Sequence, residues 1–453
     1  MARQIATFAA VVGLGLNLAC SGSSDNLIAH ALHAEVSERI TTVVHVTWTT
    51  ERPSVGYVEY GKTDEFGTAT PLETRETTQH AVTLLGLNDD TEYHYRVVTV
   101  DGKSRHVSDE HTVRTGNLPG SLPSLTRIGG GHDWYTIVPI LGASTAVVIL
   151  DPQGRIVWYH TDNRALDFYR ARLSVDGKSL WYNAASVSGD AADNSELVNV
   201  ALDGSETRSI AVPLLAHDFV EHPDGTLAAI VVEYRDVDGV SVRGDKIVEI
   251  TPQGEQSTVF SVWDCFDVAT VQGDDLDHGW TFANALDFDP QENAYYLGLR
   301  NFSSILKVNR DSGACEWVLG LYGSTFEFAA GSRRFLHQHQ FELQGNRLLV
   351  MDNEGSAGNE SRVLEYELDY QTMVARETWS YVADPSVYTF VLGEPTRLGS
   401  GDVLVNWSSA GQIERISSAG DVRWQLNTAV AFVFGFHTIA KTLYASSKTG
   451  NDN

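Results

Sequence analysis

A turn that returns on a fixed period constrains this chain more than any other feature. Asp151-Pro152-Gln153-Gly154, Leu202-Asp203-Gly204 and Thr251-Pro252-Gln253-Gly254 set their glycines 50 residues apart, and Val175-Asp176-Gly177 and Pro223-Asp224-Gly225 fall between them. Glycine accepts the positive φ of a tight turn and Asp hydrogen-bonds its own backbone, so each reads as a hairpin. Two hairpins per period make four strands, and a four-stranded repeat of about 40–50 residues is the blade of a β-propeller. Arg310-Asp311-Ser312-Gly313 and Ser418-Ala419-Gly420 continue the rhythm, giving about six blades over residues 122–447. Trp158, Trp317 and Trp424 follow such turns and are expected to pack between blades. Helical periodicity is absent, so the expected class is all-β, a six-bladed β-propeller preceded by a small β-sandwich.

The sandwich is expected over residues 28–117. Val43-Val44-His45-Val46-Thr47-Trp48 alternates with the strand period, and Tyr57-Val58-Glu59-Tyr60-Gly61 and Thr91-Glu92-Tyr93-His94-Tyr95 follow in turn. The segment resembles a fibronectin type III domain, with Trp48 in its core and Tyr93 placed as a tyrosine corner, and implies a spacer. Residues 1–20 read as an export leader: Arg3, an apolar run from Ile5 to Leu16, then Leu18-Ala19-Cys20-Ser21. That last run resembles a lipobox in which Cys20 is acylated, with simple secretion as the alternative. The expectation is an exported protein, anchored by lipid at the periplasmic or outer face of a bacterial envelope. No other stretch is apolar enough to span a bilayer. With 59 acidic against 32 basic residues and a formal charge of -27, the chain is unsuited to nucleic acid, which demands clustered cations. Cys265 and Cys315 either pair in an oxidising compartment or stay as buried thiols.

Four runs in fixed order point to chemistry. They are Ala216-His217-Asp218-Phe219; Ala283-Asn284-Ala285-Leu286-Asp287; Leu299-Arg300-Asn301; and Gln338-His339-Gln340 with Met351-Asp352-Asn353-Glu354-Gly355. This series resembles the bacterial arylsulfotransferases. The resemblance implies a propeller that moves a sulfuryl group from a phenolic sulfate ester to a phenol acceptor, with no nucleotide sulfate donor; the sequence holds no P-loop, Gly-rich dinucleotide turn or His-Glu-x-x-His helix, so no cofactor and no metal are expected. It makes His339 the transiently sulfated nucleophile, His217 a second active-site histidine, Asn284 an amide donor and Arg300 the sulfate-binding arginine.

The residue types suit that chemistry. A neutral imidazole is a nucleophile at pH 7 and a competent leaving group, so it splits transfer into two displacements. Arg300 presents a planar, permanently charged fork to the sulfuryl oxygens, Asn284 a fixed hydrogen bond, and His217 an acid or base for the phenolic oxygen. Each has a plainer reading: Arg300 as an ion-pair partner, Asn284 as a turn cap, His217 as a blade-stabilising partner of Asp218. His337 and His339 alternate along an expected strand, so one of them faces the channel. His437 is expected to be structural, in the closing strand. Where the family places a further histidine, two residues before Asn284, this chain has Phe282, whose ring neither carries a proton nor binds an oxyanion. Then His217 acts alone, His278 substitutes, or the activity is altered. The rival readings are a surface propeller that binds a ligand or partner without catalysis, and an aryl sulfate hydrolase.

Overall fold

The computed structural model describes residues 27–444 except 103, 163, 165, 186–193, 272–278 and 355–359. The leader 1–20 with Cys20 lies outside the described residues, and so does His278.

Six sheets of four or five strands follow one another around an axis. The second blade runs outward through Asp167–Leu173, Ser179–Ala185, Glu196–Ala201 and Thr207–Ala211. The third uses Leu215–Glu221, Leu227–Val237, Val240–Ile250 and Gln256–Ser261, and the fourth Ala283–Asp289, Ala294–Leu299, Ser304–Asn309 and Cys315–Gly320. The fifth begins at Phe341–Gln344 and the sixth at Glu394–Arg397. The periodic turns land where expected. Gly154, Gly204 and Gly254 each have φ between +76 and +89°, and each amide donates to the carbonyl three residues back, at 2.8–2.9 Å. Trp158 packs between blades as its position predicts, its Nε1–H donating across to Leu202 O at 2.9 Å.

The ring is closed from both ends of the propeller segment. Leu125–Gly129 adds an outermost strand to the sixth blade, while Phe432–Phe434 and Thr438–Ala440 form the inner edge of the first, against Tyr135–Gly142. Ahead of this body, Val44–Gly61 pairs along its first half with His30–Val36 and Thr77–Leu84, and along its second half with Glu92–Asp101. A small antiparallel sandwich results. It docks on the propeller face away from the start of the inner strands, where Asn88 Nδ2 reaches Asp151 at 3.1 Å, Thr41 N donates to the Tyr159 hydroxyl at 3.0 Å and Leu85 N donates to the Tyr444 hydroxyl at 2.9 Å. Cys265 and Cys315 are half-buried free thiols.

All six blades meet in one buried polar knot. Arg170, on the inner strand of the second blade, donates to Asp218 of the third at 2.9 Å, to Glu394 of the sixth at 2.9 Å and to His437 O of the first at 2.8 Å. Asp218 also accepts Leu286 N of the fourth blade at 3.0 Å and Gln340 Nε2, at the entry to the fifth, at 2.8 Å. His437 N donates to Glu394 at 2.6 Å. Dehydrating an ion costs several kcal/mol, and only a full set of partners offsets it. Here every carboxylate oxygen of the knot has one. Asp218→Asn, which removes one charge and leaves the buried guanidinium short of its partner, should lower the unfolding free energy by about 3–5 kcal/mol in a urea melt.

Candidate active site

Each inner strand begins on the propeller face opposite the sandwich, and the singled-out residues cluster at those beginnings. Three strands reach the axis through β-bulges. Pairing slips between Phe168 and Ala171, between Leu215 and Phe219, and between Ala283 and Ala285, which leaves Arg170, His217, Asp218 and Asn284 as extra residues. A bulge breaks alternation and re-aims side chains. His217 and Asp218, consecutive in sequence, can therefore both serve the axis, one in the site and one in the knot. Left-handed residues add to the re-aiming: Phe282 at φ +50° stands two before Asn284, and His337 at φ +47° two before His339. Such backbone costs on the order of 1–3 kcal/mol per residue and persists where neighbours enforce it.

The stretch around His339 is a loop entering the fifth blade and not the expected strand, because the left-handed turn at His337 interrupts it. His337 points elsewhere, its Nδ1 2.9 Å from Glu354. His339 is buried, and its Nδ1 lies 2.8 Å from Asn353 Oδ1. The direction of that bond is fixed by its far end. Asn353 Nδ2 donates to Thr389 O at 2.7 Å and Leu392 O at 2.8 Å, so the amide oxygen must face the ring. An amide oxygen only accepts, so Nδ1 carries the hydrogen and Nε2 keeps a bare lone pair.

His217 lies beside it, with ring centroids 6.4 Å apart. Tyr169 at 5.0 Å and Phe282 at 5.2 Å flank His217, and Phe436 of the closing segment stands 6.4 Å from His339. Burial, then the guanidiniums of Arg243 and Arg300, pull the His217 pKa down to about 3. Burial first, then His217 and Arg300, hold His339 well below the ordinary imidazole value. Arg300 opens a short 3-10 turn, Arg300–Phe302, after the second strand of the fourth blade; its Nη1 donates to Asn301 Oδ1 at 2.8 Å and its guanidinium lies 5.8 Å from the Phe282 ring centre. Asn284 Nδ2 donates to Gln338 O at 2.8 Å, while its Oδ1 is buried without a partner among the described residues.

The structure thus brings His217, Asn284, Arg300 and His339 to one end of the axis. Two plainer readings fall away. The turn after Asn284 is capped by Asp289, which accepts Gln291 N at 2.7 Å, and Asp218 pairs with Arg170 instead of His217. His437 takes the structural place expected of it, in the knot. Sequence reasoning missed the residues that aim the site: Asn353, Arg170 and Asn183. Asn183 Oδ1 accepts both Tyr169 N at 3.1 Å and Arg170 N at 2.7 Å across one bulge, and its Nδ2 donates to Ala216 O and His217 O at 2.9 Å in the next blade. A usable signal existed, since Asn183, Asn353 and Asn406 all stand within two residues of the end of the second strand of their blades.

The tautomer can be tested directly. Nitrogen-15 NMR of the His339 ring should show a one-bond N–H coupling at Nδ1 and none at Nε2, and Asn353→Ala should yield comparable populations of the two tautomers.

No curated protein matches the chain. Among solved structures it is similar to a protein of unknown function from Bacteroides caccae (14% identity, 68% of this chain and 99% of that one, TM-score 0.43). It is also similar to virginiamycin B lyase from Staphylococcus aureus (12% identity, 66% and 87%, TM-score 0.38). These likenesses are too distant to bear on chemistry. The family model for arylsulfotransferase (ASST) matches residues 140–438, spanning four blades whole, most of the first and sixth and every residue of the site, and on that match the chain belongs to the arylsulfotransferase family.

Proposed function

We propose that the protein transfers a sulfuryl group between phenols by a two-step exchange through His339. The observation that carries this reading is the bare Nε2 of His339, fixed by Asn353 and set beside His217 and Arg300. In the first step Nε2 attacks sulfur, the bond from sulfur to the aryl oxygen breaks, and a phenolate departs with its electron pair. In the second, an acceptor phenol gives its proton to His217, its oxygen attacks sulfur, and the sulfur–nitrogen bond breaks to restore neutral His339. Negative charge sits on the peripheral oxygens throughout, where Arg300 and the Asn284 amide would hold it.

Low proton affinity keeps both histidines neutral at pH 7. A neutral His339 is the nucleophile, and a neutral His217 can accept the acceptor's proton but offers the departing phenolate only a hydrogen bond. Good leaving groups are therefore favoured as donors. Asn353 matters again after the first step. The sulfated ring keeps its Nδ1 proton, since a neutral amide does not remove it, and a cationic ring releases sulfur more readily than a neutral one.

The N-terminal sandwich is read as a fibronectin-type spacer. Trp48 is buried there, and the Tyr93 hydroxyl accepts Asn88 N at 2.8 Å in the manner of a tyrosine corner. Anchoring through Cys20 at the outside of a bacterial membrane belongs to the same proposal.

The first test is a chromogenic aryl sulfate with and without added phenol. Release that requires phenol supports transfer; release without it indicates a hydrolase, and silence a binding propeller. His339→Asn should lower release by about a thousandfold or more. Asn353→Asp should keep the initial burst of phenolate and slow its steady release, so that sulfated enzyme accumulates. Because protonation inactivates His339 and its pKa is depressed, the burst rate should stay level as pH falls from 7 through about 6.5, where an ordinary histidine would titrate. An acid limb at that value would contradict the proposed nucleophile.

A further inference from the structure

We infer that Arg243, carried by an extended hairpin of the third blade, is a second guanidinium of the sulfuryl-binding site; this rests on the transfer reading above. The two middle strands of that blade, Leu227–Val237 and Val240–Ile250, have 11 residues each, against 6 for their counterparts Ala294–Leu299 and Ser304–Asn309 in the fourth blade. Chain direction places the surplus on the face where the inner strands begin, above the site. Arg243, paired with Tyr234, stands at the base of this projection.

Three observations turn it toward the axis. Its guanidinium lies 4.8 Å from the Phe282 ring centre, closer than Arg300 at 5.8 Å, so one ring has both cations beside it. Its stem runs where a side chain on Gly279 would stand: a Cβ there would meet Arg243 Cδ at 2.8 Å, Cγ at 3.1 Å and Cβ at 3.2 Å. Trp280 N donates to Arg243 O at 2.8 Å, which pins the two segments together two residues before Phe282. Gly279 therefore leaves the space that Arg243 fills, and the hairpin has one fixed seat on the site.

The chemistry needs such a group. A sulfuryl group in flight spreads negative charge over three oxygens, and a single planar fork engages two of them well. Phe282 binds no oxygen. Its ring instead offers an apolar wall on which two guanidiniums rest, since the face of an aromatic ring attracts cations. Burial of the surroundings strengthens both. In a chain with such an excess of acid, two arginines beside the phenyl ring that flanks His217 form a local field suited to a small oxyanion.

Equilibrium binding of inorganic sulfate tests the assignment without turnover. Calorimetry on the full chain should show sulfate binding at least tenfold weaker in Arg243→Met than in the unmodified protein. Equal affinity would overturn the inference, and so would an unmodified protein that binds no sulfate. Turnover gives the second reading: Arg243→Ala should lose about 10²–10³ in kcat/KM toward aryl sulfates, as removal of one oxyanion donor does. Added guanidinium ion should restore part of it, while Arg243→Lys should recover less than the rescued alanine variant. Val240→Ser, exposed at the hairpin tip, should leave both readouts within twofold and so controls for damage to the hairpin. If sulfate binds through Arg243 but no aryl sulfate turns over, the transfer reading fails and the anion site stands. If turnover is normal in Arg243→Ala, the second guanidinium fails and the transfer reading stands.

Discussion

Two buried carboxylates hold this molecule together at its centre. Asp218 and Glu394, on the third and sixth blades, accept hydrogen bonds from groups on the other four. Elsewhere blades contact neighbours mainly through apolar faces, which permit small rotations, as any layered packing does. A charge excluded from water permits much less, because each lost partner costs on the order of a kcal/mol or more. The knot therefore converts a ring of independently plausible sheets into one with a defined axis, and its partners are the residues next to those that face the site. His217 adjoins Asp218, His339 adjoins Gln340, and Asn284 shares its strand with Leu286. Precision in the site is inherited from saturation in the knot.

Irregular backbone does the aiming. Regular strands would send His217 and Asp218 to opposite sides of their sheet. Bulges in three inner strands, with left-handed residues at Phe282 and His337, place polar side chains where regular pairing would not. Buried amides then lock the irregular geometry. Asn183 satisfies two amide hydrogens freed by one bulge and two carbonyls of the next, so a local defect in one blade is stabilised by the defect in its neighbour.

The parts of this plan differ in how far the sequence discloses them. Turns at Gly154, Gly204 and Gly254 were legible because a positive φ leaves few alternatives to glycine, and the period followed from them. His339, His217, Asn284 and Arg300 were legible as a series, and the structure gathers them. Arg243 was not, since nothing in Val242-Arg243-Gly244 reveals that its hairpin outgrows the others or that Gly279 clears its path. The Arg170 knot was equally hidden, because a bulge is exactly where alternation stops predicting the side a residue faces. Nor could sequence alternation foresee that His337 turns away by adopting a left-handed backbone.

The last segment to pair carries more than a closing strand. Phe436 walls His339 and lies 4.8 Å from the Arg170 guanidinium, and its amide donates to Tyr169 O at 2.7 Å, while His437 supplies both its amide and its carbonyl to the knot. Without those residues Glu394 would lose an amide donor, Arg170 a carbonyl acceptor and His339 one wall. A ring left open at this seam would lack a complete knot and one wall of the site together.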